Sequence, residues 1–237
     1  MGSYKTRIEL KNDAKALLKG RWKDAILLNL IPTVIFVIVT LFFVGLVYIL
    51  ANNVDANFWD WLINSMSSEN GNGNGTSNIG GGILSTLFTV GISFTFLDWF
   101  RNPEMEIRPI KNGLQAFSKR YFLRVVLIYI LSSIFTTLWA LLFIIPGIIK
   151  YYAYSQAYLI YKDQSSLVPN EKVSSLDCIT ESKNKMKGHK WRLFVLEISF
   201  IGWGILSVLS LGIGFIWLMP YQNATKVAFY EDLILSK

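Results

Sequence analysis

The chain has 237 residues, of which 52% are hydrophobic and 15% aromatic, whereas only 16% are charged. A soluble domain carries about 25% charged residues, so this composition and a mean hydropathy of +0.39 favour a membrane protein. The formal net charge is +7. These charges flank apolar runs that must leave water, which argues against a nucleic-acid-binding protein and favours contact with anionic lipid head groups. The single cysteine, Cys178, excludes an internal disulfide and a cysteine-based metal site.

The first segment of the chain is basic and precedes a long apolar run. Thr6 and Glu9 have the spacing of a capping box, which predicts the start of a helix. Lysines recur every four residues from position 11 to position 23, as on a helix lying at a membrane surface or on a solvated helix packed against its neighbours. Residues 25–50 would reach roughly 39 Å as a helix, which is enough to span a bilayer. This run is too long for a signal peptide, so we expect an uncleaved first membrane helix.

A polar insert over residues 52–82 follows and contains no Lys or Arg. Its Gly- and Asn-rich core is typical of a flexible linker, so we predict a loop on the outer side of the membrane. Residues 83–100 form the second apolar run, which returns the chain to the basic side and completes a first helical hairpin.

The second unit begins with an apolar stripe at helical spacing, which predicts a basic amphipathic helix over residues 103–121. Residues 122–145 form the third apolar run, and Pro146 breaks it. An aromatic-rich fourth run covers residues 148–161 and would either span the membrane or stop partway. We expect it to span, because Lys162 and the basic segment after it then lie on the same side as the other basic segments.

The third unit repeats this order. Residues 165–190 form a basic approach, in which Ser174 and Asp177 have the spacing of a helix start. Residues 191–209 form the fifth apolar run, a Gly-bearing turn follows, and residues 215–235 form the sixth.

Three junctions between a basic segment and an apolar run look alike. They are Leu18–Trp22, Phe117–Phe122 and Met186–Trp191, and each ends with an aromatic residue. Of the 23 basic residues, 22 lie in the segments assigned to one side, which leaves only Lys150 elsewhere. This asymmetry is what the positive-inside rule predicts for six spans with both termini in the cytoplasm.

The predicted fold is therefore all-α. We expect a polytopic membrane helical bundle, one domain over residues 1–237, with about six transmembrane helices in three hairpins, each preceded by a basic amphipathic cytoplasmic helix. The predicted hairpins cover residues 25–100, 122–161 and 191–235.

A search for catalytic chemistry gives no recognisable set. The only histidine, His189, lies beside lysines at a predicted membrane boundary, where an interfacial role is expected. The adjacent acids Glu231 and Asp232 end an apolar run, a position that predicts solvated carboxylates. No nucleophile–base arrangement, metal motif or cofactor motif occurs, so we expect a protein that is not an enzyme and needs no cofactor.

Polar residues inside the apolar runs are better leads. Inserting a charged side chain such as Glu197 at the centre of a bilayer costs roughly 2.5–3.5 kcal/mol, so we expect Glu197 to be paired, protonated or facing water. Lys226 lies at a depth from which it can pair with Glu197 across the third hairpin. Asn29 follows Gly20 by nine residues, as Glu197 follows Gly188. These positions suggest an intramembrane polar pocket; the alternative is interhelical hydrogen bonding with a snorkelling lysine. The candidate pocket residues are Asn29, Glu197, Asn223 and Lys226.

Two functions are compatible with these patterns. The first is a non-enzymatic protein that binds anionic membrane lipids, or a membrane protein partner, through its basic cytoplasmic helices. The second is a small transporter or permease with a polar pocket around Glu197. The candidate lipid-facing basic residues are Lys19, Arg21, Lys119, Arg120, Lys183, Lys185, Lys187 and Lys190.

Several motifs together resemble a bacterial family of integral membrane proteins catalogued as domain of unknown function 975. They lie in Glu9–Trp22, Pro146–Lys150, Met186–Phe194, Phe200–Trp203 and Leu211–Phe215. The resemblance covers nearly the whole chain apart from the Gly/Asn-rich insert. It implies a multi-pass protein of the bacterial cytoplasmic membrane and brings no catalytic residues. More distantly, the chain is similar to the membrane region of some glycerophosphodiester phosphodiesterases, whose catalytic barrel and metal-binding residues are absent from this sequence.

Overall fold

A computed structural model describes residues 4–53, 74–142, 144–167 and 173–235. Within these ranges the chain is helical and has no β-strand, which confirms the all-α fold class. A short 3-10 helix at Gln115–Phe117 lies between the fourth and fifth α-helices. The α-helices are α1 (Arg7–Leu18), α2 (Trp22–Asn53), α3 (Asn74–Arg101), α4 (Pro109–Gly113), α5 (Phe122–Leu142), α6 (Ile144–Tyr154), α7 (Ala157–Leu167), α8 (Ser175–Lys185), α9 (Lys190–Ile198), α10 (Ile201–Leu209) and α11 (Phe215–Leu235).

The predicted capping box begins α1. Thr6 Oγ1 accepts a hydrogen bond from the Glu9 amide at 3.4 Å, and the Thr6 amide donates to Glu9 Oε2 at 2.6 Å. The helix is followed by Gly20, whose φ of +79° is left-handed. Gly188, at the matching place in the third unit, has a φ of +82°. Both junctions therefore have a left-handed glycine shortly after the basic helix, as the sequence repeat predicts.

The second basic approach differs from the predicted helix over residues 103–121. Only α4 and the 3-10 helix form there. Pro109 disfavours helical geometry at the preceding residue, so Arg108 is extended with φ −105° and ψ 96°. Gly113 ends α4 against α3, where a Cβ added to Gly91 would lie 2.2 Å from the Gly113 carbonyl oxygen. The close approach of these two glycines fixes α4 against α3.

Helix α3 begins at Asn74, inside the segment predicted as a loop over residues 52–82. Helical hydrogen bonds satisfy the backbone groups next to an apolar run that lies out of water. The helix therefore continues through glycines, in spite of a cost of roughly 1 kcal/mol for each of them. The rest of the predicted loop, residues 54–73, lies outside the described residues.

Two of the predicted apolar runs are interrupted. The fourth is divided at Ser155, between α6 and α7, and the fifth at Ser199, between α9 and α10. The Ser155 hydroxyl donates to the Tyr152 carbonyl at 2.9 Å, and the Ser199 hydroxyl donates to the Leu196 carbonyl at 2.5 Å. Serine hydroxyls compete with the helical backbone in this way and favour a break.

Three stretches of the described residues are long and apolar enough to cross a membrane, namely Gly82–Arg101, Phe122–Leu141 and Lys190–Leu209. Only 11% of the apolar window in the second stretch and 22% of that in the third are buried. Their apolar side chains therefore point outwards, which is the arrangement expected where lipid replaces a protein core. The total of six spans stays a prediction.

Two buried clusters hold the helices together. The larger surrounds α3, where Phe94 and Trp99 are fully buried among residues of α5, α7, α8 and α11. The smaller joins Leu10 of α1, Leu193 of α9 and Phe229 of α11. The smaller cluster places the beginning of α9 against α11, and this contact positions the polar residues described next.

Candidate functional site

Glu197 of α9 faces Lys226 of α11, as predicted from their depths. Glu197 Oε1 lies 2.9 Å from Lys226 Nζ. The other carboxylate oxygen, Oε2, accepts a hydrogen bond from the Tyr152 hydroxyl of α6 at 2.7 Å. Both oxygens of Glu197 therefore have a donor, so the carboxylate is stabilised by contacts to two other helices.

Asn29 of α2 reaches the same face of α11. The Asn223 amide donates to Asn29 Oδ1 at 2.7 Å, and the Asn29 amide donates to the Ala25 carbonyl at 2.8 Å. Asn223 and Lys226 are three residues apart on α11, so they are neighbours on one helix face. The four candidate pocket residues thus come together from three helices, although they lie almost 200 positions apart at the extremes.

A cavity of about 540 Å³ lies beside these residues. Glu197, Asn223 and Lys226 line it, whereas Asn29 stands behind Asn223. Gln156 adds a second amide. One carboxylate, one ammonium group and two amides therefore border the same space, and the two charges neutralise each other.

Helix α3 supplies one hydroxyl-bearing wall of the cavity. Ser85, Thr89 and Ser93 follow one another at a spacing of four residues, so they form a single stripe along the helix. Each hydroxyl donates to a carbonyl of its own helix, at 3.0, 2.9 and 2.9 Å respectively. These groups are satisfied without a ligand, yet their oxygens can still accept a further hydrogen bond.

Helix α5 supplies the facing wall through Ser132, Ser133, Thr136 and Thr137. Ser132 Oγ is shielded from solvent and has no hydrogen-bond partner among the described residues. A buried hydroxyl without a partner costs roughly 1–3 kcal/mol. This atom therefore gains most from a polar solute within reach.

The hydroxyl stripes were missed by the sequence analysis, which considered only charged and amide side chains. Their signal is nonetheless present, because Ser85, Thr89 and Ser93 recur at i, i+4 and i+8 within an otherwise apolar run. Such spacing places hydroxyls on one helix face, where lipid would not be their favourable neighbour.

A second group of charges lies at the C-terminal end of α3. Arg101 binds both oxygens of Asp163 at 2.6 and 3.0 Å and Glu231 at 2.6 Å. The Tyr230 hydroxyl also donates to Asp163 at 2.6 Å. The expectation that the acids at the end of the sixth run are solvated is wrong. Glu231 is 7% exposed, and its neighbour is buried as well, because Arg101 and other donors compensate their charges.

Asp232, the second of these acids, joins the N-terminal segment to α9. It pairs with Arg192 and also accepts from the amide of Lys5 at 3.2 Å.

His189 lies nearby, with its ring centroid 4.2 Å from that of Tyr4. Burial, and secondarily the charge of Arg192, lower the pKa of His189. The histidine thus packs against an aromatic ring at a helix start. Among the described residues, no group of three or more His, Cys, Asp or Glu side chains could hold a metal ion.

The candidate lipid-facing residues fall into two classes. Arg21 donates to the carbonyls of Pro103 and Met105, both at 2.6 Å, and Arg120 donates to the carbonyl of Ser165. These two guanidinium groups serve the fold. The second class consists of the six lysines, which are exposed or half-buried and form no salt bridge with any described residue. These are Lys19, Lys119, Lys183, Lys185, Lys187 and Lys190.

Comparison with known families decides the classification. A family model described as protein of unknown function (DUF975) matches residues 1–165 and 144–237, which together cover the whole chain. The chain belongs to this family. The resemblance seen in the sequence motifs is confirmed at that level, while the similarity to phosphodiesterase membrane regions and the bacterial source stay predictions. No curated protein and no solved structure matches the chain. The family description assigns no activity, so the function of this member has to be argued from its own residues.

Proposed function

We propose that this protein is a non-enzymatic membrane transporter or permease for a small polar solute, which it binds in the cavity between α3, α5, α6, α7, α9 and α11. The observation that carries the proposal is a cavity of about 540 Å³ that the Glu197–Lys226 pair, two amides and several hydroxyls border, between helices with outward apolar faces. Volumes of roughly 300–1,000 Å³ are typical of sites for small molecules. A hydroxyl-lined space of this size would be costly to keep in a bilayer unless a polar guest or water occupied it.

The charges of the cavity favour an uncharged or zwitterionic solute. Glu197 and Lys226 contribute opposite charges at 2.9 Å, so a solute with a net charge would remain uncompensated at low dielectric. Hydroxyls and amides offer both donors and acceptors, which suits a guest with several hydroxyl, amide or amino groups. Tyrosine rings at positions 129, 151, 154 and 158 provide apolar surface beside them.

Solute uptake into reconstituted liposomes tests this proposal. The full chain is reconstituted and offered labelled polyols, sugars and zwitterionic amino acids, one at a time. We expect at least one of them to accumulate above the level of protein-free liposomes, and Ser132→Phe to abolish that accumulation by filling the cavity. Leu138→Phe is the matched control, because Leu138 lies on the same helix, is 57% exposed and does not line the cavity.

Two results would count against transport through the cavity. One is uptake of every offered solute at the level of protein-free liposomes. The other is accumulation that survives Ser132→Phe while the variant keeps the wild-type melting temperature. Glu197→Gln provides a second variant, which removes one charge of the pair without adding volume and should reduce uptake.

Binding of anionic lipids by the basic helices is the second candidate function. The lysines near the end of α8 support it, because Lys183 and Lys187 are exposed and Lys185 is half-buried. A lysine near an anionic leaflet contributes about 1 kcal/mol to membrane attraction. Neutralising Lys183, Lys185 and Lys187 should therefore weaken association with anionic vesicles, and unchanged association would reject this role for α8.

The proposed setting is a bacterial cytoplasmic membrane with both termini in the cytoplasm, supported by the asymmetry of Lys and Arg along the chain. A cysteine at exposed Lys111, introduced with Cys178→Ala, should react with a membrane-impermeant maleimide only after the cells are opened. Labelling of Lys111→Cys in intact cells would reverse the orientation.

A further inference from the structure

Lys150 is the one basic residue that lies outside the segments predicted to be cytoplasmic. The fold brings it close to two lysines of the third unit. Helix α6, which carries Lys150, packs against α8 and α9. The Ser182 hydroxyl of α8 donates to the Ala153 carbonyl of α6 at 2.8 Å, one helical turn from Lys150. One residue before Ala153, the Tyr152 ring meets the Phe194 ring of α9 edge-on, with 5.8 Å between the ring centroids.

These contacts bring the segment of α6 that carries Lys150 against the start of α9, where Lys190 lies, and against the segment of α8 where Lys183 follows Ser182. All three lysines therefore lie on helices that pack against one another. None of the three forms a salt bridge with an acid in the described part of the chain. Glu197, an acid on α9, is already held by Lys226 and Tyr152. Three like charges without an acidic partner repel one another, and an anion between them would reverse this.

Aromatic side chains lie next to two of the three lysines, either in contact or as the following residue. Lys150 Nζ lies 4.3 Å from the centre of the Trp139 ring. Trp191 is 71% exposed and Tyr151 is 55% exposed. Exposed Trp and Tyr beside apolar helices are typical of the head-group level of a bilayer. The cluster therefore combines positive charge with the side chains that lie where lipid phosphates are found.

We propose that Lys150, Lys183 and Lys190 form a discrete site for the phosphate of one anionic phospholipid. Basic pockets between membrane helices bind such head groups. The site differs from the diffuse attraction of the basic helices, because its charges come from three helices and one of them belongs to an otherwise apolar helix. It is independent of the solute cavity, and it places Lys150 at the same membrane face as the other basic residues.

Native mass spectrometry of the full chain in detergent tests the site. The protein is titrated with phosphatidylglycerol and, separately, with zwitterionic phosphatidylcholine. We expect one tightly retained phosphatidylglycerol and no comparable retention of phosphatidylcholine. Each neutralised lysine should weaken retention about fivefold, and the triple variant K150Q/K183Q/K190Q roughly 100-fold.

The matched control removes three exposed lysines outside the set of candidate lipid-facing residues, through K15Q/K23Q/K111Q. It has the same net charge as the triple variant and should bind phosphatidylglycerol within about twofold of wild type. K150R keeps the charge at this position and should retain the lipid. Equal melting temperatures of K150R and the triple variant would show that the triple variant loses the lipid without unfolding. If the control variant lost as much phosphatidylglycerol retention as the triple variant, the proposal would be overturned in favour of diffuse attraction by the basic helices. Displacement of the lipid by millimolar inorganic phosphate would also overturn it, by assigning the cluster to free phosphate.

Discussion

Glu197 and Lys226 connect α9 to α11 across 2.9 Å, and a second polar contact repeats this connection one turn along the same helix. Asn29 stands at the same distance from Gly20 as Glu197 does from Gly188, and it accepts from Asn223. Two repeats therefore direct their equivalent polar residue to one face of α11. The two similar junctions are thus each followed, nine residues on, by a polar residue that contacts α11, as the predicted internal repeat would require.

Substitution of the left-handed glycines, Gly20 and Gly188, should destabilise the two similar junctions. Gly20→Ala and Gly188→Ala each place a Cβ on a residue with φ near +80°, which should cost about 1 kcal/mol net of the unfolded-state effect. No atom lies within 4 Å of either added Cβ, so the cost is conformational and not steric. Melting temperatures in detergent measure it.

Gly204→Ala is the control for this pair. Gly204 also has free space around its added Cβ, but it lies inside α10 without a left-handed φ. Alanine is the better helix former there, so the variant should gain roughly 0.5–1 kcal/mol. Destabilisation of all three variants alike would show that the backbone conformation is not the cause.

Removal of Arg101 should be strongly destabilising. Arg101→Leu leaves Asp163 and Glu231 without their cation, and their side chains are only 16% and 9% exposed. Loss of one partner from such a buried group costs about 3 kcal/mol. Arg108→Leu is the control, since its contact with Glu106 is solvent-exposed and should change stability by less than about 0.5 kcal/mol. Similar losses for both arginines, measured by thermal unfolding, would contradict a buried network.

Cys178 should be chemically silent in the folded protein. Burial, with smaller contributions from nearby Glu181 and Asp177, raises the pKa of the Cys178 thiol to about 12. Since the thiolate is the reactive form, labelling with a maleimide at pH 8 should be slow until the chain is unfolded in SDS. A cysteine at exposed Thr180 on the same helix, with Cys178→Ala, should react quickly in both states. Fast labelling of native Cys178 would show that α8 is not packed as described.

The capping box should make stability depend on pH. Hydrogen bonds from the backbone and hydroxyl of Thr6 lower the pKa of Glu9 from its ordinary value of 4.5. A lowered folded-state pKa means that the stabilisation is complete above pH 4.5 and is lost as the pH falls through the folded value. The melting temperature of Glu9→Gln should therefore be lower than that of wild type at pH 7, and this difference should shrink at pH 3. Glu104→Gln, an exposed acid outside the helices, should show no such pattern.

Local patterns were the part of this structure that could be predicted from sequence. The Thr6–Glu9 spacing predicted the first helix start, because both partners lie within one turn. The pairing of Glu197 with Lys226 followed from their depths in two runs joined by a short turn. Each of these inferences needs only the geometry of one helix or one hairpin.

The remaining features depend on packing between distant segments. Arg101 meets Glu231 across 130 positions, and no local signal links them. The hydroxyl-lined cavity could not be predicted, because the sequence does not show which faces of α3 and α5 oppose each other. The helix break at Ser199 was not predicted, because the length and hydropathy of residues 191–209 favour one continuous helix. The helix over residues 103–121 was predicted from its apolar stripe alone, without the effect of Pro109 on the residue before it.

The back-bonded hydroxyls of α3 bear on how a polar guest of the cavity would be oriented. Ser85, Thr89 and Ser93 already donate their protons to carbonyls of their own helix, so this stripe offers only acceptor oxygens. Donors lie on other elements, in the amides, in Lys226 and in the Ser132 hydroxyl, which has no partner among the described residues. A guest would therefore turn its own hydroxyl or amino protons towards the stripe on α3, and that stripe keeps its hydrogen bonds when no guest is bound.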